Sequence, residues 1–274
     1  MKPADRRACY DPLARDLICL PLRLVARSPL LARLVLRFAE RIIPGVPGEI
    51  IGRTKYIDDC LRARIDDGIE QLVILGTGYD SRAYRFEALR GKVKVFEMDH
   101  PATVKMKMKR VKRALGSLPD HVVFVPIDFE KDDLGKTLFD SGYDKRLKTF
   151  FIWEGVTFYL TAKAVDETLA FVAGNSAEGS SIVFDYVFQS VLQGASEMEQ
   201  INRALKAWER VAAHLTAEHF VFGVREGTIE EFLSNRGFSQ VENLNRDAFK
   251  TAYFNGAEQS EAVSHLCGFV HAIV

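Results

Sequence analysis

Five short apolar runs, QLVILG, VKVFEMD, HVVFVPID, TFFIWEG and SSIVFDYV, the first four ending in a polar residue or a glycine, constrain the fold most. They are rich in β-branched and aromatic residues, and the segments between them are long enough for crossover helices. Alternation of this kind predicts a mostly parallel, doubly wound α/β sheet of the Rossmann-like type, with helices on both faces. Two later pieces extend it: TIEEFLSNRGFSQVENL reads as a helix then a strand, and LCGFVHAIV as a closing strand.

Ahead of residue 68 the pattern differs. Leucine and arginine recur at helical spacing, interrupted by IIPGVPGEIIG, whose prolines and glycines read as a loop. The division expected is an N-terminal helical extension or cap over residues 1–68 and a ligand-binding Rossmann-like domain over 69–274. The stretch LICLPLRLVARSPLLARLVLRF is broken by Arg23, Arg27, Arg33, Pro21 and Pro29, so it reads as short amphipathic helices packed on the domain.

With 37 basic and 37 acidic residues, the chain has no bulk field to attract nucleic acid or basic partners. The run KMKMKRVKRAL, Lys105–Leu115, would spread its charges around much of a helix's circumference and reads as a solvated surface helix. Cys9, Cys19, Cys60 and Cys267 form no C-x-x-C pair and sit at no metal-ligand spacing, so neither a disulfide framework nor a metal site is expected, and a reducing cytoplasm fits. Oligomeric state is not legible.

In a doubly wound sheet, ligands sit beyond the carboxyl ends of the strands, so the residues there carry the functional reading. The first strand stops at Gly76-Thr77-Gly78, where missing side chains permit a tight turn and a close ligand approach. A dinucleotide fingerprint would place a third glycine at 81; Ser81 stands there, after Asp80, and a carboxylate beside the turn opposes a pyrophosphate. Asp80 could instead cap the following helix or face a cationic ligand. Asp99 follows Gly78 by 21 positions, where an acid accepts from a ribose diol; Glu97 has the same strand parity and is an alternative.

Asp128 and Phe129 end the third strand, an acceptor for an exocyclic amine beside a ring for a base pocket. Glu154 ends the fourth, where a carboxylate can pair with an ammonium group. Together these strand ends describe a nucleoside with a cationic tail, which selects S-adenosylmethionine over NAD. Tyr159 and Tyr186 are candidates for lining an acceptor site, and no catalytic residue is assigned.

The motifs VILGTGYDSRAYRF, FEMDHPATVKMK, VPIDFEKDDL and FFIWEGVTFYLT, with IGRTKYIDD ahead of them, resemble the leucine carboxyl methyltransferase family, in particular its small-molecule O-methyltransferase branch. The resemblance covers roughly residues 50–190. It implies a class I methyltransferase fold, a seven-stranded sheet with a reversed last hairpin, covered by N-terminal helices that help to form the substrate pocket. It further implies that Arg53 meets the methionine carboxylate, Gly76 and Gly78 the methionyl and ribose portion, Asp99 the ribose hydroxyls, Asp128 and Phe129 the adenine, and Glu154 the amino end. Thr77, Tyr79 and Ser81 depart from the family's usual alanine, leucine and threonine. The expected function is O-methylation of a carboxylate or hydroxyl on a small apolar acceptor. Alternatives are a nicotinamide-dependent oxidoreductase on the same sheet, a protein carboxyl methyltransferase, and a scaffold without turnover.

Overall fold

A computed structural model describes residues 11–18, 20–42, 45–193, 219–244, 246–253 and 266–274. Seven strands form one sheet: β1 (Gln71–Leu75), β2 (Lys94–Asp99), β3 (Val122–Pro126), β4 (Thr149–Trp153), β5 (Ser181–Val187), β6 (Gln240–Leu244) and β7 (Cys267–Ile273), in the order β3-β2-β1-β4-β5-β7-β6. The first five pair in parallel, and β7 runs antiparallel to both β5 and β6. This is the expected mixed α/β sheet with its reversed last hairpin. Its switch point lies between β1 and β4, where the chain leaves one half of the sheet for the other.

Strand parity divides the core. Val73, Leu75, Phe96, Met98, Phe151, Trp153, Ile182 and Phe184 pack on one face, and Leu72, Ile74, Val95, Phe150, Ile152 and Val183 on the other. Every residue of β1, β4 and β5 is buried, as expected of strands covered on both faces. The polar exceptions on these strands therefore need partners, and Asp185 and Glu97 share the parity of the second face.

Crossover helices return the chain after each parallel strand: α5 (Arg82–Arg85) after β1, α6 (Pro101–Leu115) after β2, α7 (Leu134–Asp140) after β3 and α8 (Ala162–Gly174) after β4. Their starts are chemically marked. Pro101 occupies the first turn of α6, where its missing N–H is no loss, and Asp133 and Thr161 cap α7 and α8 by accepting the Lys136 and Ala164 N–H groups. A short helix, α9 (Gln189–Gln193), follows β5. The expected helix and strand near the C-terminus form as Ile229–Ser234 and β6.

The N-terminal region supplies α1 (Ala14–Leu17), α2 (Leu20–Arg27), α3 (Pro29–Ile42) and α4 (Val46–Asp66). Two expectations change here. The stretch read as a loop, residues 42–52, is largely the first turns of α4: Gly45 takes the left-handed conformation at φ 82°, and Pro47 sits in the first turn, where proline is tolerated. The stretch read as packed amphipathic helices does form α2 and α3, yet Leu30 and Phe38 are 74% and 66% exposed. The sides of α3 that are partly covered carry small Ala32 and Ala39, so its larger apolar residues point outward.

Among the described residues no helix is long and apolar enough to cross a membrane. Cys60 and Cys267 are free thiols, whereas Cys9 and Cys19 lie outside the described residues.

Candidate active site

The turn after β1 sits at the switch point. Gly76 adopts φ 68° and Gly78 φ 45°, both in the region that side chains rarely enter. Space is equally restrictive at Gly76: a Cβ there would stand 2.3 Å from Cγ2 of Val156, in the loop after β4. Thr77, between them, is buried; its N–H donates to the Met98 carbonyl at 2.8 Å, which ties the turn to β2.

Asp99 at the end of β2 fastens the same turn. Its Oδ2 accepts from the Gly78 N–H at 2.6 Å and its Oδ1 from the His100 N–H at 2.7 Å. A carboxylate has about four acceptor positions, so roughly two remain for the paired hydroxyls of a ribose, and the residue is only partly buried. Glu97, the alternative by parity, is elsewhere: it is fully buried beneath the turn, accepts from the Tyr84 hydroxyl at 2.5 Å and lies 2.9 Å from Lys107 Nζ. Lys107 also reaches the Thr77 hydroxyl.

A chain of ion pairs closes the other side. Arg53, one of the α4 side chains, donates through Nε to Glu154 at 2.9 Å and through Nη1 to Asp185 at 2.6 Å, and its guanidinium lies over Gly155. The second oxygen of Glu154 accepts from Arg82 at 2.6 Å, and the second oxygen of Asp185 accepts from the Gly155 N–H at 2.6 Å. Arg82 also pairs with Asp80 and Asp58, and Arg85 grips Asp58 through both oxygens. Asp80 accepts the Arg82 N–H as well, from one residue before Ser81, which holds the N-cap position of α5 without a side-chain cap.

Charge states follow from this wiring. Burial raises the Glu154 carboxyl, but Arg82 and Arg53 outweigh it and hold the pKa at about 2. For Asp185 the balance reverses: burial dominates, and Arg53 with the Gly155 N–H offsets only part, leaving the pKa raised. Burial opposes the charge on Arg82, yet Asp80, Glu154 and Asp58 more than compensate, keeping it cationic.

Arg53, Gly76, Thr77, Gly78 and Glu154 thus line one cavity of about 370 Å³, together with Asp80, Ser81, Arg82 and Val156. Asp99, Asp128 and Phe129 are not in its wall, although Asp99 is bonded to the Gly78 N–H at its edge. Asp128 stands at the end of β3 with its pKa lowered, chiefly by hydrogen bonding from Lys131, while Phe129 lines a separate surface hollow of about 700 Å³ beside α7 and α8. That hollow is larger, but it holds neither the glycine turn nor the ion-pair chain. Still, Asp128 lies on the edge that continues from Asp99, since the Ile127 N–H donates to the Asp99 carbonyl at 2.9 Å.

Tyr159 lies in the loop after β4, its ring 5.3 Å from that of Phe220. Tyr186 sits inside β5, 2% exposed, its ring 5.7 Å from Phe188 and its hydroxyl donating to Asn243 of β6 at 3.4 Å. Sequence reasoning missed Asp185, Arg82 and Asp58. Asp185 left a signal, an acid inside the apolar run SSIVFDYV; the links of Arg82 to Asp58 and to Glu154 left none, because they join positions 24 and 72 apart.

The sequence model of the leucine carboxyl methyltransferase family matches residues 1–173. YktD of Bacillus subtilis (strain 168), assigned as an S-adenosyl-L-methionine-dependent methyltransferase, is 30% identical over 223 residues, covering 81% of this chain and 71% of its own. A protein of Mycolicibacterium smegmatis with the same assignment is 30% identical over 226 residues, covering 82% and 73%. Similarity of fold extends to a solved structure from Thermobifida fusca described as a methyltransferase, with a TM-score of 0.58 at 16% identity over 89% of this chain and 88% of that one. The glycine turn, the acid ending β2 and the arginine of α4 are therefore features of a chain that belongs to the leucine carboxyl methyltransferase family, among the S-adenosyl-L-methionine-dependent methyltransferases.

Proposed function

We propose that the chain transfers a methyl group to an oxygen, carboxylate or hydroxyl, of a small apolar acceptor, with residues 69–274 holding the cofactor and residues 1–68 capping the site. The observation that carries this reading is the charge balance at the switch point. Three guanidinium groups, Arg53, Arg82 and Arg85, are matched against four acids, Asp58, Asp80, Glu154 and Asp185, with Asp99 nearby. Such a balance favours a sulfonium cation and opposes the pyrophosphate that a nicotinamide dinucleotide would bring.

In this reading Gly76, Thr77 and Gly78 let the cofactor approach the backbone, Asp99 accepts from its ribose hydroxyls, and Asp128 with Phe129 lies at its adenine end. Arg53 and Glu154, whose side chains are 20% and 17% exposed, present a cation and an anion to its amino-acid end. The cofactor supplies an activated methyl group, so the protein's share is alignment, worth about 7–11 kcal/mol in favourable systems. Tyr159 with Phe220, and Tyr186 behind Phe188, support an apolar acceptor region. A cytoplasmic location, a small-molecule partner and no role for nucleic acid complete the proposal.

Calorimetry on the purified chain tests it. S-adenosylmethionine and S-adenosylhomocysteine should bind, and Asp99→Ala should weaken both about tenfold or more through loss of charge-assisted hydrogen bonds. Preference for NAD, or no adenosyl binding, would overturn the reading. Screening of carboxylate and hydroxyl acceptors with a labelled methyl donor then separates the oxygen chemistries.

A further inference from the structure

α3 leaves an apolar surface in water. By helical periodicity Leu31, Leu34, Val35 and Phe38 share one face, and all four are exposed, Leu34 and Phe38 by 58% and 66%. The partly covered side lies elsewhere, at Ala32 and Ala39, and the main contacts of the helix are with α2 before it and α4 after it. The neighbouring α4 is itself exposed at Ile50 and Ile51. Soluble monomers rarely leave a contiguous apolar patch of this kind without a use for it.

The charges beside this face are of one sign. Residues 20–42 carry Arg23, Arg27, Arg33, Arg37 and Arg41 against a single acid, Glu40, within a chain that balances 37 basic residues against 37 acidic ones. Arg23 pairs with Asp16 at 2.7 Å, and Glu40 is turned to the Gly45 N–H at 2.9 Å. Among the described residues Arg27, Arg33, Arg37 and Arg41 have no ion-pair partner, and all four are exposed. Arg33, Arg37 and Arg41 recur every four residues, so they form a stripe alongside the apolar face, and their stems can lie along it while the guanidinium groups reach outward.

This combination selects among occupants. A nucleic acid would satisfy the arginines and leave the leucines in water. A second copy meeting the same face would bring its own arginine stripe against this one, with Glu40 already engaged, so like charges oppose that pairing. An anionic bilayer surface satisfies both halves, taking the apolar side chains among its acyl chains while its headgroups accept from the guanidinium groups. With 14 residues α3 rises about 21 Å, short of the roughly 30 Å of a hydrocarbon core, so it fits in the interface and not across the bilayer.

We propose that α3 is a membrane-surface helix that docks the chain on a bilayer rich in anionic lipid, with Leu31, Leu34, Val35 and Phe38 inserted and Arg33, Arg37 and Arg41 at the headgroups. The inference does not depend on the methyltransferase reading.

Sedimentation of the whole purified chain with lipid vesicles tests it. The chain should pellet with vesicles of phosphatidylcholine and phosphatidylglycerol in equal parts, stay in solution with phosphatidylcholine alone, and be released as salt is raised. The triple variant Arg33→Gln, Arg37→Gln, Arg41→Gln should weaken partitioning about a hundredfold, roughly fivefold for each surface charge removed. The double variant Leu34→Gln, Phe38→Gln should weaken it about tenfold or more, and its thermal melting should match wild type because both side chains already face water. Any loss of fold in that variant leaves the arginine variant and the salt series to decide. Phe38→Trp should be quenched by brominated acyl chains beyond the level seen with the wild-type chain. Wild-type chain that does not pellet with the anionic vesicles, equal pelleting with both vesicle types, or pelleting that the arginine variant leaves unchanged would each overturn the inference. So would a wild-type dimer in analytical ultracentrifugation that Leu34→Gln, Phe38→Gln converts to monomer, which would assign the face to a second copy.

Discussion

Lys107 Nζ lies 2.9 Å from Glu97 Oε1, and neither side chain is exposed to solvent. The pair sits directly under the glycine turn, since Lys107 also reaches the Thr77 hydroxyl and Tyr84 donates to the other Glu97 oxygen. Removing one partner leaves an uncompensated buried charge. Lys107→Met should therefore cost about 3–5 kcal/mol in chemical denaturation, and adding Glu97→Gln should recover a large part of it. Additive losses in the double variant would contradict this coupling.

That pair also shows what the sequence could not convey. Glu97 and Asp99 share strand parity, and both looked able to meet a ribose; only the fold shows Glu97 capped by α6 and α5 while Asp99 stands at the strand end. Lys107 was one of six basic residues in a run that reads as a solvated surface, yet it points inward. The sheet itself was legible, because burial on both faces forces continuous apolar strands whose ends are marked by polar residues. Pairings across long sequence separations, such as Arg53 with Asp185 over 132 positions, were not, because no local pattern specifies them.

Gly76 is held by both conformation and space. Gly76→Ala introduces a Cβ at 2.3 Å from Val156 Cγ2 in a backbone with φ 68°. We expect a loss of about 1–3 kcal/mol in stability and weaker binding of S-adenosylhomocysteine. Adding Val156→Ala should relieve the clash but not the backbone strain, so stability should return only in part. Full recovery would mean that packing alone demands the glycine.

Acid should weaken the fold in two windows. Glu154 has its pKa depressed from 4.5 to about 2, so the stabilisation from its arginine partners is present above about 4.5 and is lost as pH falls toward 2. His271 is kept neutral, its pKa lowered from 6.5 to about 4, first by burial and then by Arg64. Its contribution is present above about 6.5 and declines as pH falls toward 4, where the unfolded chain binds the proton first. Denaturant midpoints followed across this range should show His271→Asn flattening the upper window and Glu154→Gln the lower. A His271→Asn curve parallel to wild type would remove the assignment.

Glu49 carries the opposite sign. Its folded-state pKa is raised from 4.5 to about 7, so the unfolded chain ionises first as pH climbs. The buried carboxyl therefore costs nothing below about 4.5, and its penalty grows through the interval and is complete above about 7. Glu49→Gln keeps the size and hydrogen-bonding capacity of the side chain while removing that penalty. The variant should match wild type in mildly acidic solution and exceed it by about 1–3 kcal/mol at mildly alkaline pH, a gain of a few degrees in Tm. A Tm difference independent of pH would instead assign the change to packing against Cys267, without a titrating carboxyl.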